Sequence, residues 1–231
     1  MSRETISNRA RAARGLLLCF LLHLVLGCSG APPEILRVFH QINYIQDRSS
    51  GETYQALSLF VIPHDPDGFE DLDVIYLIHD ESELFWTMDS GGWQRVPSGG
   101  DNWIGRAVIR MPSGGPMPSG RYRVLLKDLS GDRAEQELYI SKVDLQPSAL
   151  SFPVLVRAGG RITVDSPDAD PQILVFDAGG ILAARHAVPA QGLAVEKLLP
   201  ETGMEGGRMS IYLYVSRPDT RIGLVSGPYD L

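Results

Sequence analysis

"GRYRVLLKDLSGDRAEQELYIS", Gly120 to Ser141, is the stretch whose reading decides the fold. Tyr122, Val124 and Leu126 fall on one face, with Arg123 and Lys127 on the other. The turn "DLSGD" follows, and Ala134, Gln136, Leu138 and Ile140 then alternate with Glu135, Glu137 and Tyr139. Period-two alternation on both sides of a glycine-containing turn is the pattern of a β-hairpin with one buried face. No segment of the surrounding chain sustains the i, i+3, i+4 spacing of an amphipathic helix for three turns.

Outward from the hairpin the same alphabet repeats. "TYQALSLFVIP" (Thr53–Pro63), "DVIYLIHD" (Asp73–Asp80) and "GRAVIRMP" (Gly105–Pro112) are apolar runs of strand length broken by proline or charge. Farther on, "GGRITVDSPDADPQILVFDAGGILAARHAV" carries two strand signals around the turn Asp177–Gly180. "GGRMSIYLYVSRPD" and "RIGLVSGPYDL" supply two more. In the first of these, Met209, Ile211, Leu213 and Val215 share a face, and Tyr212 and Tyr214 share the other. The 231 residues include 24 glycines and 16 prolines, a turn-rich composition that suits short strands. A mainly β protein is expected.

The chain begins differently. "MSRETISNRARAAR" is cationic, and "GLLLCFLLHLVL" (Gly15–Leu26) is an apolar run of about a dozen residues. At ~1.5 Å rise per residue such a helix stays under ~20 Å, short of the ~30 Å hydrocarbon core. A removable signal helix is expected here. The run ends in "LVLGCSG". This resembles the lipobox of bacterial lipoproteins: Val25 at −3, Leu26 at −2 where a small residue is usual, Gly27 at −1, then Cys28. The resemblance implies cleavage between Gly27 and Cys28, lipid on the Cys28 thiol, and a membrane partner reached through that lipid. Ser29, which is not Asp, implies the outer membrane of the cell envelope. Two or three acyl chains anchor stably where one does not. The other cysteine, Cys19, leaves with the signal, so the mature chain has no disulfide and no thiol for catalysis or metal binding.

The half from Ile35 to Lys142 resembles the immunoglobulin-like sandwich domains of secreted bacterial proteins. "VIPHDPDGFEDLDVIYLI" resembles their strand, Asp-Pro-Asp-Gly loop and strand entry. "PSGRYRVLLKDLSGDRAEQELYI" resembles their last hairpin, with its Gly-x-Tyr start. The expected organisation is a signal peptide over 1–27, a lipidated tether over 28–34, an immunoglobulin-like β-sandwich over 35–143 and a second, smaller β-domain over 148–231. One extended sandwich shared by both halves is the alternative, and "VDLQPSALSFP" (Val143–Pro153) is the linker or an edge strand.

Charge and motifs bound the function. The chain carries a net −7, and removal of residues 1–27 takes four arginines and one glutamate and leaves −10. Nucleic acid is a poor partner for such a chain, since it requires basic patches. The "DPDGFEDLD" cluster (Asp65, Asp67, Glu70, Asp71, Asp73) has hard-cation chemistry but not the spacing of an EF-hand, and its plain reading is a turn capped by its own carboxylates. No cofactor and no metal are assigned on that basis. Trp93 and Trp103 flank glycine-rich turns and are candidate exposed aromatics for a glycan or protein ligand. Trp86 alternates with Leu84 and Met88 as a core residue would. His40, His64, His79 and His186 are scattered, and no nucleophile elbow, zinc helix or phosphate loop occurs. A non-enzymatic binding or structural module with an envelope-protein partner is expected, with a glycan-binding or adhesive surface lipoprotein as the alternative. The partner's contacts are expected at an edge strand or at the Tyr212/Tyr214 face.

Overall fold

A computed structural model describes residues 30–143, 145–177, 182–198 and 209–229. The expected signal helix, Gly27 and Cys28 lie outside those residues, as does the Asp177–Gly180 turn beyond Asp177. The described chain is mainly β. Its strands are β1 (Glu34–Asp47), β2 (Thr53–His64), β3 (Leu72–His79), β4 (Leu84–Asp89), β5 (Gln94–Ser98), β6 (Asp101–Ile109), β7 (Gly120–Asp128) and β8 (Arg133–Ile140). They continue with β9 (Val154–Ala158), β10 (Arg161–Asp165), β11 (Gln172–Phe176), β12 (Leu182–Ala187), β13 (Leu193–Ala194), β14 (Ser210–Arg217) and β15 (Ile222–Tyr229). Helix is confined to short 3-10 turns such as Phe69–Asp71, and none of the described helices is long and apolar enough to cross a membrane.

The opening stretch forms the hairpin β7–β8, with Tyr122 opposite Leu138 and Val124 opposite Gln136. It belongs to a four-stranded sheet, β4-β3-β7-β8. A second sheet runs β12-β11-β14-β15-β1-β2-β6-β5, and a third is β13-β10-β9. Among the described strand pairs only β1 with β15 is parallel, Tyr44 lying opposite Leu224. Through that pair the eight-stranded sheet runs across the 143–148 segment and joins strands from both halves of the chain.

The eight-stranded sheet presents one apolar face to both smaller sheets. Leu57, Leu59 and Val61 of β2 meet Ile75 and Leu77 of β3 and Tyr122, Val124 and Leu126 of β7 in the larger core. Ile173 and Val175 of β11 and Ile211 and Leu213 of β14 meet Ile162 of β10 and Leu198 in the smaller one. On β14 the residues Ile211, Leu213 and Val215 share a face, as the alternation predicts, but Val215 packs into the larger core and the other two into the smaller. Burying each such side chain contributes about 1.5–3 kcal/mol.

The described residues from Leu145 to Pro153 are tied down rather than free. Leu150 and Phe152 pack against the larger core, Tyr44 Oη donates to Leu145 O at 3.1 Å and Tyr229 Oη to Pro153 O at 3.2 Å. Two sheet glycines are required by close approach. A Cβ on Gly105 in β6 would strike the backbone of β2, with Leu59 O nearest and Phe60 Cα at 2.7 Å. A Cβ on Gly223 in β15 would strike Asn43 Oδ1 and lie 2.8 Å from the Tyr214 ring.

Candidate functional site

The β2–β3 connection folds as its residues dictate. Pro66 and Gly68 frame a tight turn in which the Asp67 N–H donates to Asp65 Oδ1 at 2.8 Å and the Gly68 N–H to Asp65 O at 3.1 Å. Gly68 has φ 113°, open to glycine and closed to most side chains. The 3-10 turn Phe69–Asp71 then leads into β3. This path brings carboxylate oxygens of Asp65, Asp67 and Asp71 within 4.8 Å of one another. Asp73, expected alongside them, is not part of that group. Strand alternation turns it toward β7, where Lys127 Nζ lies 3.3 Å from its Oδ2.

The sequence reading missed Asp128. It is the last residue of β7, two positions beyond the inward-facing Leu126, and is fully buried. Its Oδ1 caps the "DLSGD" turn, accepting from Ser130 Oγ at 2.9 Å, Gly131 N–H at 2.7 Å and Asp132 N–H at 2.8 Å. Its Oδ2 has no partner and is closed to solvent, as is Asp65 Oδ2. Asp128 is paired with Leu72 across the β3–β7 seam, one residue from Asp71. The Asp71 carboxyl is held above the usual range, first by desolvation and then by the charges of Asp128, Asp65 and Asp67. A signal was available in the turn motif, but alternation alone assigns position 128 to the apolar row.

The chain leading into β1 touches this cluster. The Ala31 N–H donates to Asp67 Oδ2 at 2.6 Å, and a Cβ on Gly30 would lie 3.0 Å from that oxygen and 3.7 Å from Ser130 Oγ.

The tryptophans divide differently from expectation. Trp93, read as an exposed aromatic, is only 8% exposed and sits in the larger core, with Phe69 edge-on at 6.5 Å. The turn that precedes it folds back on Asp89, whose carbonyl accepts the Trp93 N–H at 3.0 Å, and the indole is drawn inward. Trp103 is half-buried. The Arg37 guanidinium lies 5.7 Å from its ring centre, and Arg37 is paired with Asp101. Trp86 packs against the larger core and donates from Nε1 to Arg110 O at 2.9 Å. The Tyr212/Tyr214 face is also partly covered. Tyr214 Oη donates to Gln41 at 3.0 Å, and the Phe176 and Tyr212 rings meet edge-on at 5.4 Å.

The histidines stay apart. His79 is 1% exposed, stacks on Tyr122 at 4.5 Å and has no hydrogen-bond partner on either ring nitrogen. The neighbouring Asp80 pairs with Arg123 through two 2.8 Å bonds, which hold its carboxyl below the usual range. Partial desolvation lowers the pKa of His40. Two grooves, of about 240 Å³ beside Met117 and Ile140 and about 220 Å³ beside Asp168 and Arg217, fall below the ~300–1,000 Å³ of small-molecule pockets.

The sheets also end in open strands. The outer edges of β8 and β5 carry charge or proline: Arg133, Glu135 and Glu137 on β8, Arg95 and Pro97 on β5. These are the usual guards against strand pairing. On β9, which pairs only with β10 among the described strands, Val154 and Val156 are both 43% exposed.

No protein-family model matches the chain. No curated protein matches it either. Among solved structures it is similar to dimeric latent PorU from Porphyromonas gingivalis, at 13% identity and a TM-score of 0.33 over 86% of this chain. The chain spans 20% of the length of that protein. It is also similar to a structure described for host cell surface retention of a 1.5-MDa bacterial ice-binding adhesin, at 9% identity and a TM-score of 0.24, covering 87% of this chain and 66% of that one. Likenesses at these scores carry neither a shared fold nor a shared role.

Proposed function

We propose that this chain is a lipid-anchored module of the bacterial cell envelope that binds another envelope protein by strand addition at β9. The observation that carries the binding mode is the open edge of β9, where Val154 and Val156 are exposed and charge is confined to Arg157. An edge strand offers a row of backbone N–H and C=O groups to an incoming chain, and alternate side chains decide which chain pairs. β9 offers five residues, ~16 Å of edge, with Val154 and Val156 exposed on it. The aromatic surfaces expected from the sequence are less available, because Trp93 is buried, Trp103 lies beneath Arg37, and Tyr212 and Tyr214 are partly covered.

The anchor reading rests on "LVLGC". Cys28 stands two residues before Gly30, which borders the acidic cluster. From Cys28 to Ala31 an extended chain covers ~10 Å, so lipid on Cys28 would hold that end of the protein close to the membrane. An immunoglobulin-like assignment for the larger sandwich is supported by Tyr122, whose Oη donates to Pro118 O at 2.7 Å. This hydrogen bond from the start of a strand to the backbone just upstream is the geometry of the tyrosine corner.

Photo-crosslinking in cells tests the interface, with the photoreactive residue at position 156 and, in a control, at 137 on the guarded β8. The expected result is a discrete adduct from 156 alone, lost when Val154→Lys is added with an unchanged melting temperature. Equal adducts from both positions, an adduct that survives Val154→Lys, or none from 156 would refute the reading.

A further inference from the structure

We propose that Asp65, Asp67 and Asp71, closed from the core side by Asp128, form a calcium-binding site. The inference stands apart from the anchor and from β9. Its first support is convergence: three carboxylates contributed by one seven-residue loop lie within 4.8 Å of one another. Its second is Asp128. This side chain is fully buried at the loop end of an otherwise apolar row, and its Oδ2 has neither solvent nor a hydrogen-bond donor. A buried, unpartnered carboxylate oxygen is among the costliest arrangements in a folded protein and is expected to meet a cation. Asp128 borders the loop: it pairs with Leu72, and the next residue, Leu129, donates its N–H to Asp71 O at 2.8 Å.

The nearby basic side chains do not supply that cation. Lys127 is paired with Asp73, and Arg95 is paired with Glu70 while its guanidinium covers the Phe69 ring at 4.2 Å. Among the described residues no lysine or arginine forms an ion pair with Asp65, Asp67, Asp71 or Asp128. The free oxygens are also held in place. Asp65 Oδ1, Asp67 Oδ2 and Asp128 Oδ1 accept backbone N–H bonds, so each carboxylate keeps a second oxygen whose orientation is set in advance.

Calcium suits this donor set. It takes six to eight oxygen ligands in irregular geometry, mixing carboxylates, carbonyls and water, whereas magnesium demands a near-ideal octahedron. The site is assembled from the 65–71 loop and the 128–132 turn, which are distant in sequence. Calcium there would tie together the loop, the turn and, through Asp67, the backbone at Ala31.

Isothermal titration of the whole chain with calcium chloride tests the proposal, paired with thermal melting in chelator and in calcium. The expected result is one saturable site, with a dissociation constant of about 10⁻⁴–10⁻³ M as in extracellular calcium modules, and a melting temperature that rises with calcium. Asp71→Asn removes a ligand from a partly exposed position, so the variant folds. It is expected to bind at least about tenfold more weakly and lose most of the rise, with Asp67→Asn as a second variant. Glu137→Gln is expected to change neither. The proposal is overturned if the wild type shows no saturable binding up to ~10 mM, an order above that range. It is equally overturned if magnesium at matched ionic strength gives the same rise, which is charge screening, or if both variants retain the calcium response.

Discussion

Replacing Tyr122 by Phe isolates one hydroxyl group at the centre of the fold. The ring is fully buried between His79, centred 4.5 Å away, and Trp86, centred 6.3 Å away. Phe keeps that packing and removes only the 2.7 Å bond to Pro118 O. The carbonyl left behind is partly buried, and an unsatisfied group of that kind costs about 1–3 kcal/mol. Partial access to water places the expectation at about 1–2 kcal/mol. For a chain of this size each kcal/mol moves the melting temperature by roughly 2–4 °C, so a fall of about 2–8 °C is expected. Urea unfolding should show a lower midpoint with an unchanged slope, because the surface exposed on unfolding is the same. Tyr122→Ala, which also empties the ring site, should cost about 3–5 kcal/mol. The pH dependence supplies a second readout. Burial pushes the Tyr122 hydroxyl well above its ordinary pKa of ~10. The unfolded chain therefore releases this proton first. The group's contribution is present below pH ~10 and is lost as pH rises beyond it, at up to about 1.4 kcal/mol per pH unit. Phe has nothing to release, so the gap between wild type and variant should narrow above pH ~10. Tyr54 and Tyr212, also raised by burial, titrate in both proteins and cancel in the difference. A loss below about 0.5 kcal/mol, or a gap that is constant with pH, would refute the assignment of Tyr122 as a buried hydrogen-bonded corner.

Gly105→Ala should be among the most damaging single-methyl changes in the sheet, because the added Cβ meets β2 backbone that cannot move aside. A loss of about 3 kcal/mol or more is expected in denaturant titration. Gly91→Ala, whose Cβ meets only Asp89 Oδ1 at 3.6 Å, should stay within about 0.5 kcal/mol. Cys28→Ala should abolish incorporation of a fatty-acid analogue and release the protein from the membrane fraction. Equal labelling of wild type and variant would remove the anchor from the proposed function.

How much the sequence showed depends on whether a strand has one wet face. β7 and β8 alternate openly because Arg123, Lys127, Glu135 and Glu137 face solvent. β1 is the longest strand and lies inside the large sheet, yet it shows no such pattern. Ile42, Asn43, Tyr44 and Ile45 are buried in succession, and a register shift between Ile35 and Arg37 breaks the period at its start. A strand buried on both faces loses the polar half of its signal. The tryptophans illustrate a related limit. Glycine next to Trp93 suggested a surface turn, but which way an indole leaves a turn depends on the backbone hydrogen bonds around Asp89, and these form only in the folded chain.

By itself the sequence determined the β character of the chain, the Gly120–Ser141 hairpin and the "LVLGC" ending of the apolar run, because each depends on residues adjacent in the chain. Alternation, turn chemistry and segment length act over a few residues and need no partner. Only the tertiary structure decided that β1 and β15 pair in parallel, setting Tyr44 opposite Leu224 from the far end of the chain with no local signal to announce it. Only the tertiary structure placed Asp128 beside the loop that carries Asp65, Asp67 and Asp71. Pairing between distant strands is set by which apolar faces can be covered at once, and the position of Asp128 beside the three loop carboxylates is a consequence of that choice.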